Sequence, residues 1–358
     1  METFCIDLSR DFEQGIKKGA ELIRAGEVVA FPTETVYGLG ANALDETAVA
    51  KIFAAKGRPN DNPLILHVSD PSEVDALAEV TEQAKRLMEA FWPGPLTIIL
   101  KKKDIVPSAA TAGLPTVAIR MPENEGARAL IKASGVPVAA PSANTSGRPS
   151  PTTAQHVLHD LSGRIPLVLD GGPCKWGLES TVVTLVGEPT VLRPGAVTPG
   201  MLSAVIGEVK IAPAALSPLK EGETAASPGM KYRHYAPKAR VFIAAGEPDE
   251  LVGTAIALYD GCLTRGLNPC ILASRQTCGF YAGRVYDIIG DRTAPETFCA
   301  NLFSALRRAD EAGCQSIILE ALPADAFGLA YMNRALRAAG FRVCTSPNEA
   351  QSILEEQP

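Results

Sequence analysis

The chain lacks the cysteine spacings that indicate a bound metal or a disulfide-rich fold. Its eight cysteines are spread over 358 residues, and none forms a C-x-x-C pair. The even spacing of Cys262, Cys270 and Cys278 matches no pattern of metal ligands. We therefore expect reduced, mainly structural thiols, as is usual for cytoplasmic proteins.

Long apolar runs and targeting signals are also missing. No uninterrupted apolar run approaches the ~18 residues that a membrane-spanning helix needs. The N-terminal segment METFCIDLSRDFEQ is acidic and has no apolar stretch, so we expect no signal peptide. These absences argue against a membrane protein and favour a cytoplasmic one.

Positive charge is not in excess. The chain has 34 Lys and Arg against 40 Asp and Glu, a net charge of −6. This balance disfavours nucleic-acid binding driven by overall charge, although it leaves room for a local basic patch. The composition, 46% hydrophobic and 21% charged, is typical of a globular protein with one or two domains.

Common catalytic and nucleotide-binding motifs are absent as well. No Walker A, H-E-x-x-H or G-x-S-x-G pattern occurs. Gly38, Gly40 and Ala43 nominally fit the dinucleotide fingerprint G-x-G-x-x-A. However, PTETVY separates them from the preceding strand, and the next helix is predicted to begin only near Asp45, so we expect no nicotinamide site.

Strand and helix patterns alternate along most of the chain, which predicts an α/β fold. From Ile211 to Ala239 the pattern is interrupted by four prolines and contains the segment SPGMKYRHYAP. We therefore predict a first domain at 8–210, a Pro-rich linker at 211–238 and a smaller, Rossmann-like α/β domain at 239–350.

The stretch from Val28 to Val68 brings two polar loops together. VVAF and LILHV are predicted strands, and Asp45 can cap the helix between them. PTETVYG offers hydroxyl groups, whereas KGRPNDNPL offers the cations Lys56 and Arg58. This combination suggests a phosphate-bearing substrate. The alternative is a solvated basic helix end that interacts with its own dipole.

Other polar residues follow predicted strands. Ser142 and Asn144 come after VPVAA, where open α/β sheets often place ligands, although a simple Asx or Ser turn explains them equally well. Arg120 and Arg193 end short strands, and each alone reads as a surface ion pair. His67 lies within an apolar strand, where a hydrogen-bonded core histidine is the usual interpretation.

Taken together, these segments resemble the YrdC-like family of threonylcarbamoyl-AMP synthases. The resemblance rests on KGRPNDNPL, TVAIRMP, APSANTSGRPSPT, ESTVV and LRPGAV, with the K-x-R and S-x-N signatures at Lys56/Arg58 and Ser142/Asn144. It covers roughly residues 10–205, and SPGMKYRHYAP with the following α/β region is similar to the long, two-domain form. The resemblance implies a YrdC-like twisted open α/β sheet in the first domain.

The resemblance also implies an activity. The family condenses L-threonine, bicarbonate or CO2, and ATP to threonylcarbamoyl-AMP and diphosphate. The product supplies the threonylcarbamoyladenosine modification of tRNA through a downstream transferase complex. Mg²⁺ is expected to accompany ATP, without a dedicated protein metal site.

Residue roles are carried over by matching motifs. Lys56 and Arg58 are the expected catalytic residues. The expected ATP-binding residues are Arg58, Asn62, Thr116, Ser142, Asn144, Ser150, Arg193 and Tyr235, the last as a lid. The expected L-threonine-binding residues are Thr35, His67, Arg120, Ala140 and Ser180.

Two alternatives remain open on sequence alone. One is an RNA-binding protein that uses a basic cradle, which would also allow weak RNA contact by the enzyme; its residues would be Lys56, Arg58, Lys101, Lys102, Lys103 and Arg120. The other is a different ATP-dependent carbamoyl transferase, as in hydrogenase-maturation proteins with a YrdC-like domain. The zinc-finger-like cysteine pairs and acylphosphatase-like module of those proteins are absent from this sequence.

Overall fold

A computed structural model describes residues 1–57, 62–217 and 235–355. The chain divides into two compact units. Within the described residues, the first unit comprises 1–57, 62–146 and 150–215. The second comprises 147–149, 216–217 and 235–355.

The first unit is a mixed α/β structure. Its strands are β1 (Phe4–Asp7), β2 (Val29–Phe31), β3 (Gly38–Asn42), β4 (Ile65–His67), β5 (Leu96–Lys101), β6 (Thr116–Arg120), β7 (Val138–Ala139), β8 (Leu167–Asp170), β9 (Thr181–Thr184), β10 (Thr190–Arg193) and β11 (Lys210–Ile211). Its helices are α1 (Phe12–Arg24), α2 (Glu46–Lys56), α3 (Val74–Leu77), α4 (Glu82–Phe91), α5 (Ser108–Thr111), α6 (Glu125–Ser134), α7 (Ala154–Leu161) and α8 (Pro199–Ile206).

These strands form one eleven-stranded sheet in the order β1-β8-β2-β3-β7-β4-β6-β5-β9-β10-β11. Parallel and antiparallel pairs alternate through its centre. β4 pairs with β6 in parallel and with β7 antiparallel, while β5 is antiparallel to β6 and parallel to β9. As a result, the carboxyl ends of β4 and β6 meet at the same edge of the sheet.

Local sequence explains the entry into and exit from α2. The Asp45 carboxylate accepts hydrogen bonds from the N–H groups of Thr47 and Ala48, as predicted. Gly57 ends the helix at φ 61°, in the left-handed region that glycine adopts without a steric cost. This stop places Lys56 in the last turn of α2.

The predicted loop around Gly38 and Gly40 is instead a strand, β3, and this corrects the sequence-based assignment. A Cβ atom on Gly40 would lie 2.7 Å from Cγ1 of Val138 and 2.8 Å from Cε1 of Phe31. Glycine therefore allows a close approach between neighbouring strands here. Both glycines lie within β3 and not in the turn that leads to α2, so the position of the G-x-G-x-x-A pattern differs from that of a dinucleotide-binding turn.

The second unit has a five-stranded parallel sheet. Its strands are β12 (Arg240–Ala244), β13 (Pro269–Ser274), β14 (Tyr286–Gly290), β15 (Ser316–Glu320) and β16 (Val343–Cys344). Its helices are α9 (Pro248–Thr264), α10 (Glu296–Glu311), α11 (Ala326–Ala339) and α12 (Ala350–Glu355). The sheet order β14-β13-β15-β12-β16, with helices between strands, confirms the predicted second α/β fold.

Two sequence-level expectations can be compared directly with the structure. All eight cysteines carry free thiols, in agreement with the prediction of no disulfide framework. Among the described helices, none combines the length and the apolar character needed to cross a bilayer.

Candidate functional site

One face of the central sheet carries four of the predicted site residues. Successive side chains of a strand point to opposite faces, so residues two apart share a face. Ile65, Ile99, Ala118 and Val182 form a small apolar cluster on one face, separate from the main core on the other. The polar residues that lie two positions along the chain from one of these, and therefore on the same face, are His67, Thr97, Thr116, Arg120 and Ser180.

Arg120 lies buried at the carboxyl end of β6, with 3% of its surface exposed. Its Nη2 donates to the Glu34 carboxylate, and its Nη1 donates to Oγ1 of Thr35 at 2.9 Å. Its Nε donates to the carbonyl oxygen of Gly94 at 3.2 Å. A guanidinium has five N–H groups. Within the described part of the chain, the remaining two, one on each terminal nitrogen, have no acceptor.

Glu34 is a site residue that the sequence analysis missed. Its second carboxylate oxygen accepts the backbone N–H groups of Glu123 at 3.0 Å and Asn124 at 3.4 Å. Burial alone would raise the pKa of Glu34, but the charge and hydrogen bond of Arg120, together with the N–H of Glu123, lower it. The carboxylate is therefore ionised. No sequence pattern distinguishes it from an ordinary loop glutamate.

His67 ends β4 directly beside Arg120 in the parallel register. Burial and the neighbouring Arg120 charge lower the pKa of His67 to about 3. Its Nδ1 lies 3.1 Å from the carbonyl oxygen of Ile65. A neutral imidazole therefore stands next to the arginine at neutral pH.

Ser180 and Arg193 are in direct contact, although the resemblance assigns them to different substrates. Arg193 donates from Nε to the Ser180 carbonyl oxygen at 3.0 Å and from Nη2 to its hydroxyl oxygen at 3.2 Å. The hydroxyl of Thr97, which the sequence analysis missed, lies 2.7 Å from that of Ser180. The two predicted halves of the site thus meet at Ser180.

Lys56 of the K-x-R signature lies next to the S-x-N signature in space. The buried Lys56 ammonium donates to the backbone carbonyl oxygens of Ser142 and Asn144. The Ser142 hydroxyl donates to Oδ1 of Asn144 at 2.6 Å. Lys56 therefore holds this loop together rather than ending as a solvated cation. Arg58 lies outside the described residues.

Asn62 is completely buried, and neither polar atom of its carboxamide has a hydrogen-bond partner within the described residues. Such a group in a native structure calls for an explanation, and a bound ligand is one. Thr116 begins β6, the strand that Arg120 ends, so the two lie about 13 Å apart at ~3.3 Å per residue. The predicted site residues are therefore spread along the length of β6.

The remaining predicted residues fall in three places. The Ser150 hydroxyl donates to the carboxylate of Glu179, a further residue that the sequence analysis missed. The backbone N–H of Ala140 donates to the carbonyl oxygen of Ile65 at 2.9 Å. Tyr235 belongs to the second unit, where its ring lies 5.1 Å from that of Phe303 at an interplanar angle of 30°.

The described residues do not fit a dedicated metal site. Among them, no group of three or more His, Cys, Asp or Glu side chains could hold a metal ion. Beside the carboxylates of Glu34 and Glu179, which are already hydrogen-bonded, and the neutral His67, the polar groups of the site are hydroxyls, amides, lysine and arginine. These groups suit anionic and zwitterionic ligands.

Two family models match the chain in succession. The Sua5/YciO/YrdC model, described as telomere recombination, matches residues 21–195. The model described as threonylcarbamoyl-AMP synthase, C-terminal domain, matches residues 197–340.

Known relatives resemble the chain over nearly its whole length. The threonylcarbamoyl-AMP synthase of Bacillus subtilis is 48% identical, covering 92% of this chain and 94% of the relative. That of Pyrococcus abyssi is 46% identical, covering 92% of this chain and 96% of the relative. A crystal structure of Sua5 from P. abyssi complexed with L-threonine has a TM-score of 0.90 at 45% identity, covering 96% and 99% of the two chains. The chain belongs to the family of threonylcarbamoyl-AMP synthases, in its two-domain form.

Proposed function

We propose that this protein is an L-threonylcarbamoyladenylate synthase that uses the β6 face of its first unit as the active site. The observation that carries this proposal is Arg120, a buried arginine with two N–H groups that have no acceptor among the described residues. A substrate carboxylate is a suitable partner for such a group. The L-threonine complex of the P. abyssi relative supports threonine as its source.

In the proposed threonine pocket, Arg120 binds the carboxylate. Thr35, His67 and Ser180 provide the polar surroundings, and the backbone at Ala140 completes one side. Because His67 is neutral, it adds no charge that would compete with Arg120 for the carboxylate.

The proposed ATP site adjoins the threonine pocket at Ser180 and Arg193 and extends toward Thr116 at the start of β6. Asn62, Thr116, Ser142, Asn144, Ser150 and Arg193 bind the nucleotide, with Lys56 and Arg58 as the catalytic cations. The unpartnered carboxamide of Asn62 supports this placement because a nucleotide would satisfy its donors and acceptor. Lys56 acts partly by holding the Ser142–Asn144 loop.

The proposed reaction needs no covalent enzyme intermediate. The threonine amine adds to bicarbonate with loss of water to form a carbamate. A carbamate oxygen then attacks the α-phosphorus of ATP, and the bond to the diphosphate leaving group breaks. The contact between Ser180 and Arg193 supports a meeting point for the two substrates at this position. Catalysis then depends on positioning and on neutralising phosphate charge.

Mg²⁺ enters the proposal as part of the MgATP substrate. It would be held by phosphate oxygens and water, in keeping with its reluctance to dehydrate, and no protein ligand is assigned to it.

The resemblance also supports a lid role for Tyr235, which excludes water and protects the adenylate. A solved double variant of the P. abyssi relative replaces a His–Tyr pair by alanines, and this chain has a His–Tyr pair of its own at His234-Tyr235. Tyr235→Ala should weaken ATP retention and allow wasteful turnover, and unchanged kinetics would refute the lid role.

Threonylcarbamoyl-AMP would then pass to a transferase complex that modifies tRNA. Weak RNA contact by this chain remains a separate proposal. Two of the six cations that the sequence analysis grouped into a basic cradle, Lys56 and Arg120, are buried, so they do not form a surface for RNA. Lys101 faces Glu79 at 3.8 Å.

The deciding experiment is diphosphate release from ATP by the wild type and by Arg58→Ala, with each substrate omitted in turn. We expect release only when L-threonine, bicarbonate and ATP are all present, and a collapse of release in the variant. Release without threonine would instead indicate a different carbamoyl transferase. No release, together with tight and salt-sensitive RNA binding, would indicate a binding protein.

A further inference from the structure

Glu34 has a buried carboxylate to which the proposed reaction gives no role. It lies in the loop between β2 and β3, and its side chain is 4% exposed. Burying an ionised carboxylate is costly unless it is paired and hydrogen-bonded. Its contacts therefore indicate what this carboxylate does.

These contacts tie together four segments of the first unit. One carboxylate oxygen accepts Nη2 of Arg120 at the end of β6. The other accepts the N–H groups of Glu123 and Asn124, just before α6. The backbone carbonyl oxygen of Glu34 accepts the N–H of Trp176 at 2.8 Å. The carboxylate cannot move without breaking several of these bonds.

The consequence for Arg120 is a fixed orientation. Its guanidinium is held at all three nitrogens, by the oxygens of Gly94, Thr35 and Glu34. A planar group held at three points cannot rotate about its side-chain bonds. Each of its two remaining N–H groups therefore points in a fixed direction, and a fixed direction is what recognition of a carboxylate requires.

A negative charge beside Arg120 would also repel a substrate carboxylate, so the balance of these effects matters. The charge of Glu34 is shared between Arg120 and the backbone N–H groups that precede α6. The N-terminus of a helix carries a partial positive charge, which attracts a carboxylate. The backbone N–H groups before α6 compensate part of the negative charge of Glu34. The positive charge of Arg120 is therefore only partly neutralised, and Arg120 still attracts a second carboxylate.

We propose that Glu34 is a positioning residue for substrate recognition: it orients Arg120 so that the enzyme selects an amino acid with a free α-carboxylate. This inference rests on the proposed function, because it assumes that Arg120 binds the threonine carboxylate. Glu34 itself does not touch the substrate.

The test compares L-threonine with L-threoninol, which has a hydroxymethyl group in place of the carboxylate. Affinities for both, and for ATP, are measured by calorimetry on wild type, Glu34→Gln and Glu125→Gln. The last is the matched control, because Glu125 is an exposed carboxylate in the first turn of α6. We expect Glu34→Gln to bind L-threonine about 10–100-fold more weakly, as a small misplacement of a binding group does. The affinities for L-threoninol and ATP should stay unchanged, and Glu125→Gln should match the wild type.

Glu34→Asp provides a second variant in case Glu34→Gln does not fold. It keeps the charge but withdraws the carboxylate by one methylene group, so we expect a smaller loss that is again confined to L-threonine. Equal losses for L-threonine, L-threoninol and ATP would show a merely structural role and overturn the proposal. Unchanged or tighter L-threonine binding would overturn it too, because repulsion would then outweigh orientation.

Diphosphate release by the wild type, measured in parallel, separates this inference from the proposed function. If release requires threonine but threonine affinity is unchanged in the Glu34 variants, the positioning role alone is wrong. If the wild type binds L-threonine but releases no diphosphate, the proposed function is wrong while the binding data still decide the role of Glu34. If the wild type does not bind L-threonine, both are wrong.

Discussion

Each of the two units buries a glutamate that is paired with an arginine, but the two pairs differ in what they leave unsatisfied. In the first unit, Arg120 is 3% exposed and keeps two N–H groups without an acceptor among the described residues. In the second unit, Glu320 is fully buried at the end of β15 and is paired with Arg292, whose side chain is 27% exposed.

The carboxylate of Glu320 is saturated. It accepts hydrogen bonds from the hydroxyls of Thr277 and Tyr281, from the N–H of Ser274 and from Arg292. A carboxylate accepts about four hydrogen bonds, so no capacity is left for a ligand. Arg292 also keeps the N–H groups of Nη1 without an acceptor among the described residues, but its side chain is 27% exposed, so solvent can satisfy them. The comparison teaches that a buried ion pair indicates a site when its arginine keeps such N–H groups away from solvent. A pair whose arginine reaches solvent is a structural tie between segments.

Among the substitutions that test this comparison, Arg120→Lys should have the largest effect, on the use of L-threonine. Arg120→Lys keeps the positive charge beside Glu34 but loses the planar arrangement of donors. We expect kcat/KM for L-threonine to fall by about a thousandfold, while KM for ATP changes by less than about threefold. Steady-state kinetics with each substrate varied in turn will measure both. Arg292→Lys is the control and should leave both values unchanged. If Arg120→Lys impaired the use of L-threonine and of ATP equally, Arg120 would not be the residue that binds the threonine carboxylate.

The reciprocal change is Glu320→Gln in the second unit. It removes the charge that compensates Arg292 and replaces one acceptor by a donor, so the free energy of unfolding should fall by about 3 kcal/mol. Threonine kinetics per folded molecule should not change. Chemical denaturation measures the first and steady-state kinetics the second, with Glu311→Gln on an exposed glutamate as the control. A selective loss of threonine affinity in Glu320→Gln would show that the Arg292–Glu320 pair also serves substrate binding, which would contradict its structural role.

His67, the neighbour of Arg120, makes the stability of the first unit depend on pH. Its pKa of about 3 in the folded state lies below the ordinary ~6.5 of an unfolded histidine. Between these values the unfolded chain binds a proton that the folded chain excludes. The contribution of neutral His67 to the free energy of unfolding is therefore complete above pH ~6.5. It is lost as the pH falls toward 3, by at most about 1.4 kcal/mol per pH unit.

The measurement is the difference in unfolding free energy between wild type and His67→Gln. This difference should be about 2 kcal/mol more favourable to the wild type at pH 7 than at pH 5. His159→Gln, on an exposed histidine, is the matched control. A difference that is independent of pH would mean that His67 is not held neutral beside Arg120.

The smallest expected effect is at Asn62. Asn62→Ala should weaken ATP binding by about tenfold, because a buried amide that a ligand satisfies contributes about that much. It should not lower the stability of the ligand-free protein, since the described residues offer this carboxamide no hydrogen bond to lose. Asn301→Ala is the contrasting control, since its carboxamide donates to the Ile289 carbonyl oxygen at 2.9 Å. A loss of stability in Asn62→Ala without loss of ATP affinity would refute the assignment.

Much of the fold could be predicted because local signals agreed with tertiary structure. The cap at Asp45, the apolar strands LILHV and TVAIR, and the alternation of strands and helices after Ala239 all correspond to observed elements. β3 could not be predicted, because Gly38 and Gly40 disfavour a strand locally. Close packing against Phe31 and Val138 outweighs that preference.

The candidate site was only partly predictable. The K-x-R and S-x-N signatures could be found as short segments, and the structure joins them through Lys56. Glu34, Thr97 and Glu179 could not be found, because each is an ordinary polar residue in its own segment. Their importance depends on partners that are distant in sequence.

By itself, then, the sequence determined the α/β class, the two-domain plan and the segments that contain the site, because periodicity, caps and short motifs are local properties. Only the tertiary structure decided which side chains share a face of the sheet and which polar groups remain unsatisfied there. Glu34 and Arg120 are 86 residues apart, and their contact follows from the order and register of strands. Register is set by the packing of the whole sheet, and so no single segment encodes it.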